Sequence, residues 1–280
     1  MLATAFGPAK DYCRPFAATV IDRMTGITEA AILYDGTPEL SERDSVHTSF
    51  ANIFLDPWDG DEDPHRYGRL ARMRRALVAE FLASDCEYLY FHDVDTIPPF
   101  DIIERLIALD APVCTGSYSM RGSRYAMPAW MESVPATLGD DVVMSEGYGM
   151  GCMLIRRDAL EATEFRPPEY WVGKGAPGED WQWSSDSCLP VHCDTRQSCW
   201  HVCDDGSASR IVFGDLVNLT VWLGDSPVRT KHGCWKRMQT RTTVSEADQS
   251  RLRKGFACGP ARAMTLDWSD VTTILAGGAA

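Results

Sequence analysis

The segment Cys86-Glu-Tyr-Leu-Tyr-Phe-His-Asp-Val-Asp-Thr-Ile-Pro-Pro99 decides how this chain is read. Leu89, Tyr90 and Phe91 are large, uncharged and β-favouring, as in a strand covered on both faces of a parallel sheet. Pro98 and Pro99 lack the N–H that further ladder pairing needs, so the strand must stop near Asp93-Val94-Asp95. Two carboxylates one residue apart, at the carboxyl end of a buried strand, stand where open α/β sheets bind ligands. The pair alone has little weight in a chain with 40 acidic residues, most of which are solvated loop charges; its placement gives it weight. Oxygen donors of this kind suit a hard cation, Mn2+ or Mg2+, shared with a substrate phosphate. As strand-end residues, neither aspartate is expected in the core.

Upstream, Leu2 to Phe6 reads as a first strand closed by Gly7-Pro8. Phe16, Val20 and Met24 recur every four residues and predict a helix over 12–24. Ala30 to Tyr34 is a second strand, stopped by the turn Asp35-Gly36-Thr37-Pro38, and Ala51 to Leu55 a short third one. Strand, helix and strand at this spacing form a βαβ unit with parallel pairing and a right-handed crossover. Asp35 then shares an edge with Asp93, where it either hydrogen-bonds a ribose or base or satisfies its own turn.

Residues 67–82 carry the clearest helix, with Leu70, Met73, Leu77 and Phe81 as its buried stripe. Arg66, Arg69, Arg72, Arg74 and Arg75 crowd its first half. Cations are unfavourable at the positive end of a helix dipole unless an anion binds there, and the guanidinium fork suits a pyrophosphate.

Downstream, Asp101 to Leu109 predicts a short helix and Pro112 to Gly116 a strand, while 122–141 reads as irregular. Gly147, Gly149 and Gly151 precede the apolar run to Ile155, and mark either close approach to a ligand or a bulge. The glycine-rich stretch 173–178 has the character of a lid, and Glu179-Asp180 opens a helix behind it. Those two acids either complement a helix dipole or act on substrate. Beyond 204, Leu216 to Leu223 alternates as a strand, and Thr243-Val-Ser-Glu246 is a capping box for a helix to about Gly255.

The 280 residues allow one large α/β domain over 1–203, with halves 1–118 and 119–203, and a small extension over 204–280. A net charge of −13 argues against non-specific nucleic-acid binding. No run approaches the roughly 18 apolar residues of a membrane span, and no basic leader is present, so a cytoplasmic protein is expected. Among ten cysteines, Cys188, Cys193, Cys199 and Cys203 cluster with His192 and His201. They are candidates for structural zinc, although the Cys-x-x-Cys pair usual in such sites is missing.

Taken in order, Asp93-Val94-Asp95, then Gly151 to Arg157, then Glu179-Asp180-Trp181, then Trp200-His201 resembles the GT-A glycosyltransferases. It is similar in particular to family 2-like enzymes of bacteria and their phages, over Met1 to about Val202. The resemblance implies a Rossmann-like, mostly parallel sheet flanked by helices. It implies metal-dependent transfer of a sugar, in all expectation a hexose, from a UDP- or GDP-sugar to an acceptor hydroxyl. Asp93 and Asp95 would hold Mn2+ or Mg2+ on the donor diphosphate, with His201 completing the metal shell. Asp180, or Glu179, would face the acceptor, and Arg72 would stand near the phosphates. Phe6-Gly7-Pro8 stands where such enzymes carry a Pro-Thr-x-Asn-like strand end, a departure at the base contact; Phe6 and Asp35 are the residues expected on the nucleoside side. The cytoplasm of a bacterium or of a phage-infected host is the implied compartment. Two other readings are a nucleotidyltransferase, whose Gly-rich basic loop is absent here, and a non-catalytic, zinc-stabilised binding protein.

Overall fold

The computed structural model describes residues 1–6, 13–35, 51–55, 66–118, 126–130, 142–167 and 178–202, with short strands at 208–209, 220–222, 242–243 and 265–266. The first half runs β1 (Leu2–Phe6), α1 (Arg14–Arg23), β2 (Ala30–Asp35), β3 (Ala51–Leu55), α2 (Arg66–Ala83), β4 (Tyr88–Asp93), β5 (Thr96–Ile97), α3 (Ile102–Ile107) and β6 (Val113–Tyr118). There follow β7 (Ala126–Trp130), β8 (Val142–Ser145), β9 (Gly147–Tyr148), β10 (Cys152–Arg156), α4 (Arg157–Ala162), α5 (Glu179–Ser187) and β11 (Val191–Val202). The short strands beyond are β12 (Ala208–Ser209), β13 (Thr220–Trp222), β14 (Thr242–Thr243) and β15 (Thr265–Leu266).

The main sheet has the order β3-β2-β1-β4-β10-β6-β11-β12-β15, with β5 and β8 also paired to β11. β1 runs parallel to both β2 and β4, β2 to β3, and β6 to β11. β10 is antiparallel to both of its neighbours, β4 and β6. The strands β1 to β4, β6 and β11 therefore all point one way, and β10 is the reversed member between them. This is the mostly parallel sheet flanked by helices that the βαβ reading predicts. All six carboxyl ends reach a common edge.

The reading of β4 as a strand covered on both faces holds: Leu89, Tyr90, Phe91 and His92 are all buried. Met73, Leu77 and Phe81 of α2 are buried as their stripe predicts. Removing side chains of this size from water contributes about 1.5–3 kcal/mol each.

Two features depart from expectation. The stretch 126–130, read as irregular, forms β7, which joins β9 and β13 in a second sheet ordered β14-β13-β7-β9. Its partners are remote in sequence, so no local pattern announces it. The described pieces beyond residue 204 are also built into the sheets, β12 and β15 extending β11 and β13 and β14 joining β7. Thr243 lies in β14; the rest of the expected helix to Gly255, and residues 173–177, lie outside the described residues. No helix among the described residues is long and apolar enough to cross a membrane.

The end of α2 is closed from a distance. The last carbonyls of a helix have no partner within it and must find donors elsewhere. Arg157, at the start of α4, supplies them: Nη2 donates to Phe81 O (3.2 Å), Ser84 O (2.7 Å) and Cys86 O (2.8 Å), and Nη1 to Leu82 O (3.3 Å). Its guanidinium lies 4.6 Å from the Phe81 ring centroid. Charge-assisted bonds to a helix end are worth roughly 1.5–3 kcal/mol together with the partners they leave unmet. Arg157→Met keeps the apolar stem and deletes the donors, and is expected to lower stability by about 2 kcal/mol. For a domain of this size that corresponds to a Tm loss of roughly 4–8 °C by circular dichroism; an unchanged Tm would remove Arg157 as the cap.

Candidate active site

The register of the sheet puts three of the sequence candidates at one edge. Ala5 is level with Asp93, Phe6 with Tyr34, and Asp35 with Leu55. Asp35, Phe6 and Asp93 thus end adjacent strands β2, β1 and β4, with Asp93 one residue before the level of Phe6 and Asp35 one residue beyond it.

Asp93 and Asp95 differ sharply in environment. The Asp93 side chain is 41% exposed and accepts a hydrogen bond from Arg74 Nη2 at 3.1 Å. Its backbone N–H donates to Gly151 O at 3.0 Å, and Thr96 Oγ1 donates to both Asp93 O (2.8 Å) and Gly151 O (3.1 Å). Asp95 is only 1% exposed. Its Oδ2 lies 3.0 Å from His201 Nε2, and its carbonyl accepts the N–H of Val202 at 2.7 Å. The expectation that Asp95 stands outside the core is therefore corrected: the turn folds back, β5 pairs with β11, and His201 is carried over it. Tyr118 packs edge-on against His201, with centroids 6.2 Å apart, and its hydroxyl accepts the N–H of Gly151 at 3.0 Å. A Cβ on Gly151 would stand 2.9 Å from Tyr118 Cζ, so this position needs glycine for close approach.

A second group of charges meets the first through Arg74. This guanidinium is on α2 and only 7% exposed, with Nε 3.8 Å from Glu179 Oε1 and its centre 4.8 Å from the Phe91 ring centroid. Burial alone would weaken its hold on the proton, but Asp93, Glu179 and Asp180 more than offset that. Glu179 and Asp180 open α5, whose seat is set by aromatic contacts. Phe165 stacks on Trp183 and meets Phe91 edge-on, both at 5.5 Å between centroids. Trp183 Nε1 donates to Thr163 O at 3.1 Å, and Arg166 clamps Asp186 through Nε at 2.7 Å and Nη2 at 2.9 Å. Adjacent helical side chains diverge by about 100°. Glu179 accordingly turns inward at 4% exposure, while Asp180 remains part-exposed, its Oδ1 accepting the Trp181 N–H at 2.8 Å. Burial, reinforced by Asp180, pushes the Glu179 carboxyl up to about 8, and burial raises Asp180 to about 6.

The structure thus joins Asp93 to Glu179 through Arg74, and Asp95 to His201. Arg74, two residues beyond the expected Arg72, is paired with Asp93 and lies beside Glu179, while Arg72 is half-buried. Two helical steps turn a side chain through about 200°, so the two arginines cannot share a face. A signal for Arg74 was present: it lies four residues after Leu70 and three before Leu77, within the apolar stripe. Among the described residues, no three His, Cys, Asp or Glu side chains are grouped to hold a metal. Cys193 and Cys199 are buried in β11, Cys188 is exposed at the end of α5, and Cys203 lies outside the described residues, so no zinc set is assembled among those described. A cavity of about 140 Å³ lined in part by Met1, Cys86, Ile103 and Leu154 lies at the opposite, amino edge of the sheet.

No protein-family model matches the chain, and neither does any curated protein sequence. Among solved structures, A197 from STIV is similar over 74% of this chain and 88% of its own, at 16% identity and a TM-score of 0.45. S. aureus TarS is similar over 69% of this chain and 34% of its own, at 11% identity and a TM-score of 0.46. TarS 1-349 in complex with UDP is similar over 70% and 58%, at 10% identity and a TM-score of 0.45. This chain therefore matches about a third of TarS and little more than half of its shorter form.

The raised carboxyls fix the sign of a pH dependence. Folded Glu179 keeps its proton between its ordinary value of 4.5 and about 8, where the unfolded chain has lost it. Stability is then full below this window and declines as pH rises through it, with Asp180 acting in the same direction up to about 6. Without divalent ions, Tm should fall between about pH 5 and about pH 8, and Glu179→Gln should flatten that fall. Parallel wild-type and Glu179→Gln profiles would clear Glu179 of responsibility.

Proposed function

We propose that this chain is a GT-A glycosyltransferase that moves a sugar from a nucleoside-diphosphate sugar to an acceptor hydroxyl, using Mn2+ or Mg2+. One observation supports the reading: at the carboxyl edge of the sheet, Arg74 links Asp93 to the Glu179-Asp180 end of α5, and the Asp95–His201 pair closes the same aspartate turn. Asp93 and Glu179 are thereby neighbours of one guanidinium, although β4 and α5 are far apart in sequence.

The residues suit the ion. A carboxylate oxygen and an imidazole nitrogen 3.0 Å apart match two neighbouring corners of an octahedron with bonds of about 2.1 Å. Mg2+-like ions need only one or two protein carboxylates when phosphate and water complete the shell. Asp95 and His201 would hold the ion, with Asp93 paired to Arg74 beside them, and the bound ion would supply Lewis-acid neutralisation of the leaving diphosphate. Phe6 and Asp35, at the ends of β1 and β2, are on the side of the edge left for the nucleoside, a UDP or GDP moiety.

On the acceptor side, a base is most effective when its pKa approaches the working pH. Asp180, raised to about 6 and part-exposed, meets that condition, whereas Glu179 at about 8 holds its proton at neutrality. The acceptor oxygen bonds to the anomeric carbon as the bond to the phosphate oxygen breaks, and its proton passes to the Asp180 carboxylate. Arg74 keeps the helix carrying Asp180 against the donor edge.

The test is a panel of UDP- and GDP-sugars assayed for hydrolysis and transfer with and without Mn2+. Ion-dependent turnover with at least one donor is expected. Asp180→Asn should retain donor affinity and lose roughly 10²–10⁴ in turnover, the usual worth of positioned proton transfer. Asp95→Asn, which keeps the buried shape, should lose Mn2+-dependent nucleotide binding by calorimetry. Near-normal turnover of Asp180→Asn at saturating acceptor would exclude it as the base.

A further inference from the structure

Tyr118 ends β6 at the carboxyl edge, level with Cys199 of β11. Its ring is held by two others, edge-on to Tyr148 at 5.6 Å and to His201 at 6.2 Å between centroids. The hydroxyl accepts the Gly151 N–H at 3.0 Å, and the Gly151 carbonyl accepts the Asp93 N–H at 3.0 Å. A single residue thus connects this phenol to the aspartate turn. A Cβ on Gly151 would stand 3.0 Å from the hydroxyl oxygen, so ring and backbone leave each other no slack. A tyrosine hydroxyl both accepts and donates. Here Gly151 uses the oxygen, while no acceptor among the described residues takes the proton. Tyr118 is only 7% exposed, and a buried donor left unmet costs free energy. Burial, reinforced by the Asp93 and Asp180 charges, pushes the phenol well above its ordinary range despite the Gly151 N–H, so it stays a neutral donor. Packing against His201 and Tyr148 needs only a ring, and the bond from Gly151 needs only an oxygen. Neither explains the unused proton.

Resting on the sugar-nucleotide reading above, we propose that Tyr118 is a specificity-determining residue whose hydroxyl donates to a hydroxyl oxygen of the transferred sugar. In that reading the diphosphate meets the aspartate turn and the acceptor meets Asp180, so the sugar lies between them. Tyr118 is tied to the first through Gly151 and lies within the field of the second. The sugar is the part of the donor left to meet its proton. A fixed, buried polar group discriminates well, because a ligand without the matching oxygen leaves it unmet. Since the Gly151 N–H already holds the phenol oxygen, the donor is set in place before the ligand arrives. Tyr118 therefore separates a sugar nucleotide from the bare nucleotide, and one pattern of sugar hydroxyls from another.

The experiment is calorimetry, with Mn2+ present, of UDP, GDP and the panel of UDP- and GDP-sugars on wild type and Tyr118→Phe. For the sugar nucleotide that wild type turns over, Tyr118→Phe should bind about tenfold more weakly, the worth of one neutral hydrogen bond. Its affinity for the parent nucleotide should stay within about twofold of wild type. Deoxy forms of the same sugar nucleotide then locate the contact. With the contacted hydroxyl removed, wild type and Tyr118→Phe should bind alike, a coupling that loss of the Gly151 bond would not produce. Equal losses for sugar nucleotide and nucleotide, or no loss, overturn the proposal. A gap between the two proteins that persists across every deoxy form overturns it too. Should Tyr118→Phe fail to fold, fluorotyrosine at position 118, a stronger donor of nearly the same shape, is measured instead. It should tighten the sugar nucleotide at least about twofold and leave UDP unchanged; unchanged affinity for both overturns the proposal. Wild type that binds neither nucleotide nor sugar nucleotide overturns the functional reading, and this proposal with it. Wild type that turns over a sugar nucleotide, with Tyr118→Phe unaffected, overturns this proposal alone.

Discussion

A guanidinium leaves water at a large cost unless anions meet it inside. Arg74 satisfies that condition through the Asp93 carboxylate at the end of β4, and its other side rests against Glu179 at the start of α5. Much of the site follows from this pairing. It is available only when α5 lies across α2 and the carboxyl edge, and the Phe91–Phe165–Trp183 contacts hold the helix in that place. The polar bridge alone would be a weak source of stability, and the aromatic contacts alone would not select which helix end faces the sheet. Together they specify both the seat of α5 and its direction.

The other half of the edge is braced by hydrogen bonds. β10, the reversed strand, brings Gly151 beside the aspartate turn, where its carbonyl takes the Asp93 N–H and the Thr96 hydroxyl. Tyr118, held by the Gly151 N–H, rests edge-on against His201, and His201 meets Asp95. A turn that would otherwise be a mobile strand end is thus tied to two neighbouring strands. Preorganisation of this kind is what electrostatic catalysis needs, since groups already aligned do not have to reorganise when charge develops.

The distribution of charge agrees with the proposed chemistry. The chain carries a net charge of −13, yet it buries a cation where three carboxylates converge. Two of those carboxyls are pushed toward or beyond neutrality, and perturbed acids gathered at a sheet edge are the usual mark of a site that handles protons or cations. Asp93 is open to the carboxyl edge, whereas Asp95 is enclosed beneath His201.

By itself, the sequence determined the elements whose pattern is local. The apolar block at Leu89 to Phe91, the stripe through Leu70, Leu77 and Phe81, and the strand–helix–strand spacing at the amino end all express periodicities of burial that neighbours along the chain impose on each other. From these came the parallel sheet and the placing of Asp93 and Asp35 at its carboxyl edge. What only the tertiary structure decided were contacts between segments remote in sequence. Arg74 meets the acids because α5 approaches one face of α2, and a run of five arginines does not say which face will be covered. Asp95 is buried because β11 returns over the turn after more than a hundred residues. Strand β13 lies within the alternation at 216–223, but β7 and the short strands β12, β14 and β15 escaped because pairing with a distant strand leaves no period in the sequence to read.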